Sequence, residues 1–196
     1  MSSPVFPTEL LDIADAYLAL LDKWNRVHSL TGLAKHSRFE ELLLDSAAII
    51  PHLRDLPPAS LIADFGTGMG VPAIVIAAHR PDLKVAAIDR NSKKAAFVRQ
   101  AAMELKLGNL KVICKPVEAI QPLHACLGTA KAVGPTAMLL NWWTRHSAPG
   151  APFFAFKGPN WDSSEIDGAW TNKLHPYCLP SGGCRALIEI RSHTQA

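Results

Sequence analysis

Two kinds of hydrophobic spacing divide the chain. In the first part, Leu10, Ile13, Tyr17, Leu21 and Trp24 recur at steps of three or four, one face of a 3.6-residue period. The spacing predicts an amphipathic helix over Thr8 to Val27. Thr8 is placed to be its N-cap, and Glu9 and Asp12 suit the positive helix end. A second helix is expected from about Ser37 to Ile50, where Ser37 and Glu40 stand at capping-box spacing and Pro51 lies just beyond. The stretch "RDLPPAS" reads as a connector.

From Leu61 the pattern alternates between short apolar runs and helical periods. "LIADF" reads as a buried strand and "VPAIVIAAHR" as a helix, with Pro72 tolerated in its first turn. "KVAAID" is the next strand. "SKKAAFVRQAAMELKL" is a helix stopped by Gly108 as a C′ residue, and "LKVICK" is a third strand. A weak strand "AKAV", a helix "TAMLLNWWTRH" and a strand "APFFAFKG" follow. A short polar helix is expected around Ser163 to Lys173. "KLHPYCLP" and "CRALIEIRS" can pair across "SGG". Such alternation implies an α/β fold, a mostly parallel sheet with helices on both faces, here closed by a C-terminal antiparallel hairpin. The expected organisation is a single domain over 1–196, with an N-terminal helical extension at 1–55 and a nucleotide-binding core at 56–196.

Composition excludes several classes. Hydrophobic residues make up 48%, which fits a packed domain. No apolar run reaches the roughly 18 residues of a membrane span, and the N-terminus lacks the basic and apolar regions of a secretory signal. The expected location is the cytoplasm, with no membrane partner. Four cysteines without a C-x-x-C pair argue for free thiols in that compartment, although Cys178 and Cys184 flank a turn. Eight histidines show no H-x-x-H or H-x-x-x-H spacing, so no metal site is expected.

Net charge is +3, unevenly distributed: residues 1–60 hold five Lys/Arg against eight Asp/Glu. Between Arg90 and Lys115 seven basic residues face Glu104 alone. Such a run is ordinarily a solvated helix face; the sharper reading is a surface that meets phosphates, with Lys93, Lys94 and Arg99 at its centre.

The chemistry concentrates at "DFGTGMG". A strand, then Gly66, Gly68 and Gly70, then a helix is a nucleotide-binding turn, because glycine admits positive φ and close approach of a ligand. Asp89 ends the next strand, where a carboxylate can accept from ribose hydroxyls. Dinucleotides prefer G-x-G-x-x-G with pyrophosphate on the helix N-terminus. Here the spacing is G-x-G-x-G, and Asp64 stands two residues before the first glycine. A carboxylate repels pyrophosphate but suits a cation. S-adenosylmethionine, with its ammonium and sulfonium, is therefore favoured over NAD.

With these pieces in place, the chain resembles the bacterial small-subunit rRNA guanine-N7 methyltransferases, also called glucose-inhibited division protein B. The similarity runs from about Leu18 to Arg191. It is carried by "LLDKWNRVHSLTGL", which resembles the family's K-W-N-x-x-x-N-L-T, by "LLLDS", "DFGTGMGVPAI", "RPDLKVAAIDRNSKKAAFVRQAAMELKLGNLKVI" and "FFAFKG". The resemblance implies a Rossmann-like class I S-adenosylmethionine-dependent methyltransferase. It implies a 16S rRNA or small-subunit substrate methylated at guanine N7; no DNA partner is expected, and the chain is expected to be a monomer. Carried over by position, Asp64, Gly66, Thr67, Gly68 and Gly70 would line the methionine end of the cofactor. Asp89 would take the ribose, and Val117 and Glu118 would lie beside the adenine.

The chain departs from the family pattern where an Arg-His pair becomes Glu41 and Leu42. It departs again where an Arg before the V-E pair becomes Pro116, and where Ser-Arg-Ala becomes "TAKAV" with Lys131. Arg185 matches a basic family residue. Lys131 and Arg185 are the candidate catalytic donors, to guanine O6. Trp142 and Trp143 could stack on a base, but adjacent tryptophans in an apolar helix are ordinarily core. Lys157 marks the end of a strand facing the site. The alternatives are a divergent paralogue methylating another substrate, a non-catalytic RNA- or ribosome-binding module, and an NAD-dependent oxidoreductase.

Overall fold

The alternation beginning at Leu61 becomes a seven-stranded sheet in a computed structural model that describes residues 3–193. The strands are β1 (Leu61–Phe65), β2 (Lys84–Ile88), β3 (Leu110–Ile113), β4 (Leu127–Lys131), β5 (Phe153–Lys157), β6 (Trp170–Cys178) and β7 (Cys184–Ser192). Their order is β3-β2-β1-β4-β5-β7-β6. The first five run parallel, and β7 returns antiparallel beside β5. The chain reverses direction across the sheet between β1 and β4, the switch point at which open α/β sheets bind ligands.

Four α-helices cover the sheet: α1 (Leu11–His28), α2 (Ala73–His79), α3 (Ser92–Glu104) and α4 (Thr136–His146). Tyr17 and Leu21 of α1, Ile74 of α2 and Phe97 of α3 share one core cluster with Ile62, Phe154 and Leu187. Leu139, Leu140 and Trp143 of α4 pack with Phe65, Phe153 and Ile188 on the opposite face. The N-terminal extension is thus continuous with the main core. Trp143 is a core residue; Trp142 is half-buried, its indole donating to Glu118 at 2.8 Å.

Several local expectations are corrected. A 3₁₀ turn (Thr8–Leu10) precedes α1, and Thr8 makes no side-chain cap. The expected helix at Ser37–Ile50 is a 3₁₀ turn (Lys35–Ser37), a π-helix (Phe39–Leu44) and a 3₁₀ helix (Ala47–Leu53). Pro51 falls inside the last. Ser37 and Glu40 form no capping box: the Ser37 hydroxyl donates to the Ala34 carbonyl, and Glu40 accepts from the Ser181 backbone N–H. The cap of α3 is Asn91, whose side chain accepts from the N–H groups of Lys93 and Lys94. After α3 the left-handed residue is Lys106 (φ 58°), not Gly108. β4 begins at Leu127, ahead of the "AKAV" expected. The polar helix near Ser163 ends at Glu165, because β6 claims Trp170 onward.

The cysteine expectation also changes. Cys178 and Cys184 are opposite each other in the β6–β7 register, with Cα atoms 4.1 Å apart, and form a disulfide. The hairpin pairing brings together two thiols that sequence spacing alone left near a turn. Cys114 and Cys126 are free.

Candidate functional site

β1 delivers Asp64 to the switch point. Its neighbour in the parallel register is Thr129 of β4, whose hydroxyl donates to Asp64 Oδ1 at 2.8 Å. Asp64 is fully buried, and burial pushes its carboxyl up to about 6 against the opposing pull of the Thr67 and Thr129 hydroxyls and the Ala73 N–H. Asp64 Oδ2 and the Thr67 hydroxyl, both buried, lack a well-formed hydrogen bond. Orphaned polar atoms of this kind mark a place where a ligand donor is wanted.

The glycine loop lies over these groups. Gly66, Gly68 and Gly70 all have positive φ, at 66°, 59° and 87°. A Cβ on Gly66 would lie 2.7 Å from Val133, whereas one on Gly68 would meet only the Gly66 carbonyl at 3.8 Å. Gly66 is therefore glycine for packing, and Gly68 for an open backbone. The Gly68 N–H donates to Asp89 Oδ2 at 2.9 Å, and the Asn91 N–H donates to Asp89 Oδ1 at 2.8 Å. Asp89 is thus fixed against the loop at the carboxyl end of β2. Tyr17 of α1 braces the loop from behind, its hydroxyl donating to the Met69 carbonyl at 2.9 Å.

A cleft of about 510 Å³ opens from this loop. Gly66, Thr67 and Gly68 line it together with Lys131, Lys157 and Arg185. The structure brings both candidate catalytic cations into one site with the cofactor loop. Both are already paired. Lys131 Nζ lies 2.6 Å from Asp45 Oδ2 and donates to the Glu41 carbonyl at 2.5 Å, with the Leu42 carbonyl at 3.4 Å. Burial lowers the affinity of Lys131 for its proton, and Asp45 opposes that loss. Arg185 NH2 bonds Glu41 Oε2 at 2.6 Å, and its Nε lies 3.4 Å from Asp45 Oδ1. Tyr177 donates to the same Asp45 oxygen at 2.6 Å, and its phenol is strongly held in the protonated form by burial and by Asp45.

Asp45 is the hub of the cluster, and sequence reading saw it only within "LLLDS". Its signal was present: an aspartate inside a run of leucines must find a partner if that run is buried. Glu41, one of the departures from the resembled pattern, holds Arg185 through its carboxylate. Lys157 lies at the cleft edge, bonded to the Gly134 carbonyl and to Glu165. Lys94, expected on a basic outer face, also lines the cleft, whereas Lys93 and Arg99 are exposed on α3.

Other expected residues lie apart from this cleft. Val117 is buried on a 3₁₀ turn (Val117–Ala119), its carbonyl 3.3 Å from His146 Nε2. Glu118 accepts from Trp142, and its carbonyl accepts from Arg145. Pro116 is the residue preceding that turn.

Comparison with solved structures agrees with this architecture. A SAM dependent methyltransferase from Aquifex aeolicus superposes with a TM-score of 0.58 at 15% identity, covering 79% of this chain and 92% of that one. TYW2 of P. horikoshii, in complex with MeSAdo, gives 0.58 at 13% identity, covering 72% and 60%. These likenesses establish the Rossmann-like class I fold. Sequence relatives are nearer. The Ribosomal RNA small subunit methyltransferase G of Methylobacillus flagellatus is 45% identical over 59% of this chain and 55% of that protein. Its Paracoccus denitrificans counterpart is 31% identical over 89% and 91%. The family model for rRNA small subunit methyltransferase G, GidB, matches residues 11–173. The chain belongs to the rRNA small subunit methyltransferase G family.

Proposed function

We propose that this chain transfers a methyl group from S-adenosylmethionine to N7 of a guanine in 16S rRNA, acting as a cytoplasmic monomer. The observation that carries the reading is one cleft containing both the cofactor-type loop and the Lys131–Asp45–Arg185 cluster.

The residues fit the cofactor. Asp64 Oδ2 and the Thr67 hydroxyl offer unused buried acceptors beside an open glycine backbone, which suits a cationic amino acid moiety. Asp89 presents a carboxylate for ribose hydroxyls; Val117 and Glu118 are assigned to the adenine side by family position. When bound, the cofactor supplies an electrophilic methyl group.

Guanine N7 has an in-plane lone pair, so no general base is needed. The protein's part is to hold that lone pair in line with the methyl group and exclude water, and a donor to O6 fixes the orientation of the base. Lys131 spends its ammonium on Asp45 and two carbonyls, so its role is to position Asp45 and the segment carrying Glu41. Arg185 lines the same cleft with a side chain 27% exposed, against 14% for Lys131, so its guanidinium is the more accessible donor. Arg185 is therefore the O6 donor in this scheme, oriented by Glu41 and Asp45. Removing a charged donor from a desolvated site costs roughly 1.5–3 kcal/mol, or about ten- to a hundredfold in rate. Arg185→Ala should slow single-turnover methyl transfer by that factor with cofactor affinity unchanged. An unchanged rate would remove Arg185 from the scheme.

Glu41 supports a second reading. It places a carboxylate on Arg185 where the family pattern carries an arginine, lowering the positive charge of the RNA-facing rim. A paralogue with another substrate would bind S-adenosylmethionine normally and leave 16S rRNA unmethylated.

A further inference from the structure

Away from the cleft, the face of the β6–β7 hairpin turned toward the N-terminal layer carries a second constellation. Side chains alternate along β7, so Leu187, Glu189 and Arg191 share the face opposite Ile188 and Ile190. His175 pairs with Leu187 in the register and so lies on that face, beside Glu189. The 3₁₀ helix Ala47–Leu53 adds His52. His175 Nε2 is 3.1 Å from Glu189 Oε2, and the His52 and His175 rings have centroids 4.5 Å apart. One ligand-type atom from each of the three residues falls within 4.8 Å of the others, and all three side chains are half-buried.

We propose that His52, His175 and Glu189 bind a divalent transition-metal cation of the zinc class, with water completing the coordination. Two imidazoles and one carboxylate are a zinc donor set with one open position. Ligand bonds of about 2.0–2.2 Å place tetrahedral donors roughly 3.3–3.6 Å apart. The His175–Glu189 pair already approaches that spacing, and side-chain rotation closes the remainder. The surroundings pre-orient the donors. Phe154 packs against His52 with centroids 4.6 Å apart, and Arg191 Nε holds Glu189 Oε1 at 2.8 Å, leaving Oε2 toward the imidazoles. Two imidazole donors favour a metal that gains from nitrogen ligands over magnesium or calcium, which take oxygen ligands.

The metal would act as a clamp. Asp45 precedes His52 on the same N-terminal layer, and Tyr177 and Arg185 lie on the same hairpin as His175 and Glu189. A cation joining these elements stabilises the interface that also builds the Asp45 cluster.

The test uses the full chain without an affinity tag, stripped with chelator. Zinc titration against a chromophoric chelator should find one tight site, zinc should raise the melting temperature, and cobalt should give the intense visible bands of low coordination. His52→Asn and Glu189→Gln should each weaken zinc by at least about tenfold, the loss typical of removing even an outer-shell partner. S-adenosylmethionine affinity should stay unchanged in both. No zinc binding by the parent chain, or undiminished affinity in both variants, would overturn the proposal. Should either variant fail to fold, the cobalt spectrum of the parent and the other variant decides.

Discussion

Lys131 Nζ and Asp45 Oδ2 meet at 2.6 Å with side chains only 14% and 3% exposed, joining the end of β4 to the N-terminal layer. A buried pair of this kind is most costly when half of it is removed, because the remaining charge is stranded. Asp45→Asn should therefore lower unfolding free energy by about 3–5 kcal/mol in urea titrations. Lys131→Met in the same background should recover part of that loss. A loss below about 1 kcal/mol for Asp45→Asn would mean that water reaches the pair.

The glycine loop separates two effects. Gly66→Ala places a Cβ against Val133 in a left-handed backbone, so stability should fall by about 1–3 kcal/mol. Gly68→Val points its side chain into the cleft. It should abolish cofactor binding by calorimetry while the protein still unfolds cooperatively. Wild-type binding of NAD in preference to S-adenosylmethionine would overturn the cofactor assignment.

The alternation from Leu61 onward, the glycine loop, the acid after β2 and the terminal hairpin were legible because each is written in local spacing. The Asp45 cluster was not. It depends on Lys131, Tyr177 and Arg185 converging from β4, β6 and β7, and no periodicity encodes that meeting. The segment around it misled for a related reason. Its leucines have helical spacing, but the turn widens into a π-helix at Phe39–Leu44, and its Glu41 and Leu42 carbonyls accept from Lys131. His52, His175 and Glu189 were invisible to any spacing rule because sheet register and the overlying 3₁₀ helix assemble them.

If Asp64 faces the ammonium of the cofactor, binding should depend on pH. The Asp64 carboxyl titrates at about 6 when folded, against 3.8 for the exposed group. The protonated form is thus favoured by folding, and the stability it contributes at acid pH is lost as pH rises through 6, about 3 kcal/mol in the unliganded protein. A cationic ligand prefers the carboxylate. S-adenosylmethionine affinity should therefore rise as pH passes from 5 through 6 and level off above 7, with proton release on binding near pH 5.5. Asp64→Asn should flatten the profile. A flat wild-type profile would show that Asp64 does not face the ammonium.

The exposed basic residues of α3 make a separate claim. Lys93→Glu with Arg99→Glu should weaken RNA binding and reduce the slope of log affinity against log salt by about 2. Cofactor affinity should not change, since neither residue lines the cleft. Lys94 is left intact because it does line the cleft. An unaltered salt slope would return these residues to an ordinary solvated face.

Methyl transfer to a defined RNA atom can be read directly. The direct measurement incubates the protein and labelled S-adenosylmethionine with small ribosomal subunits, and with naked 16S rRNA, from a strain lacking the modification, followed by nucleoside mass analysis. Up to one methyl group per RNA, recovered as 7-methylguanosine, is expected, and none with Gly68→Val. Cofactor binding with no methyl incorporated into either RNA, or a label at any other atom, would contradict the proposed transfer.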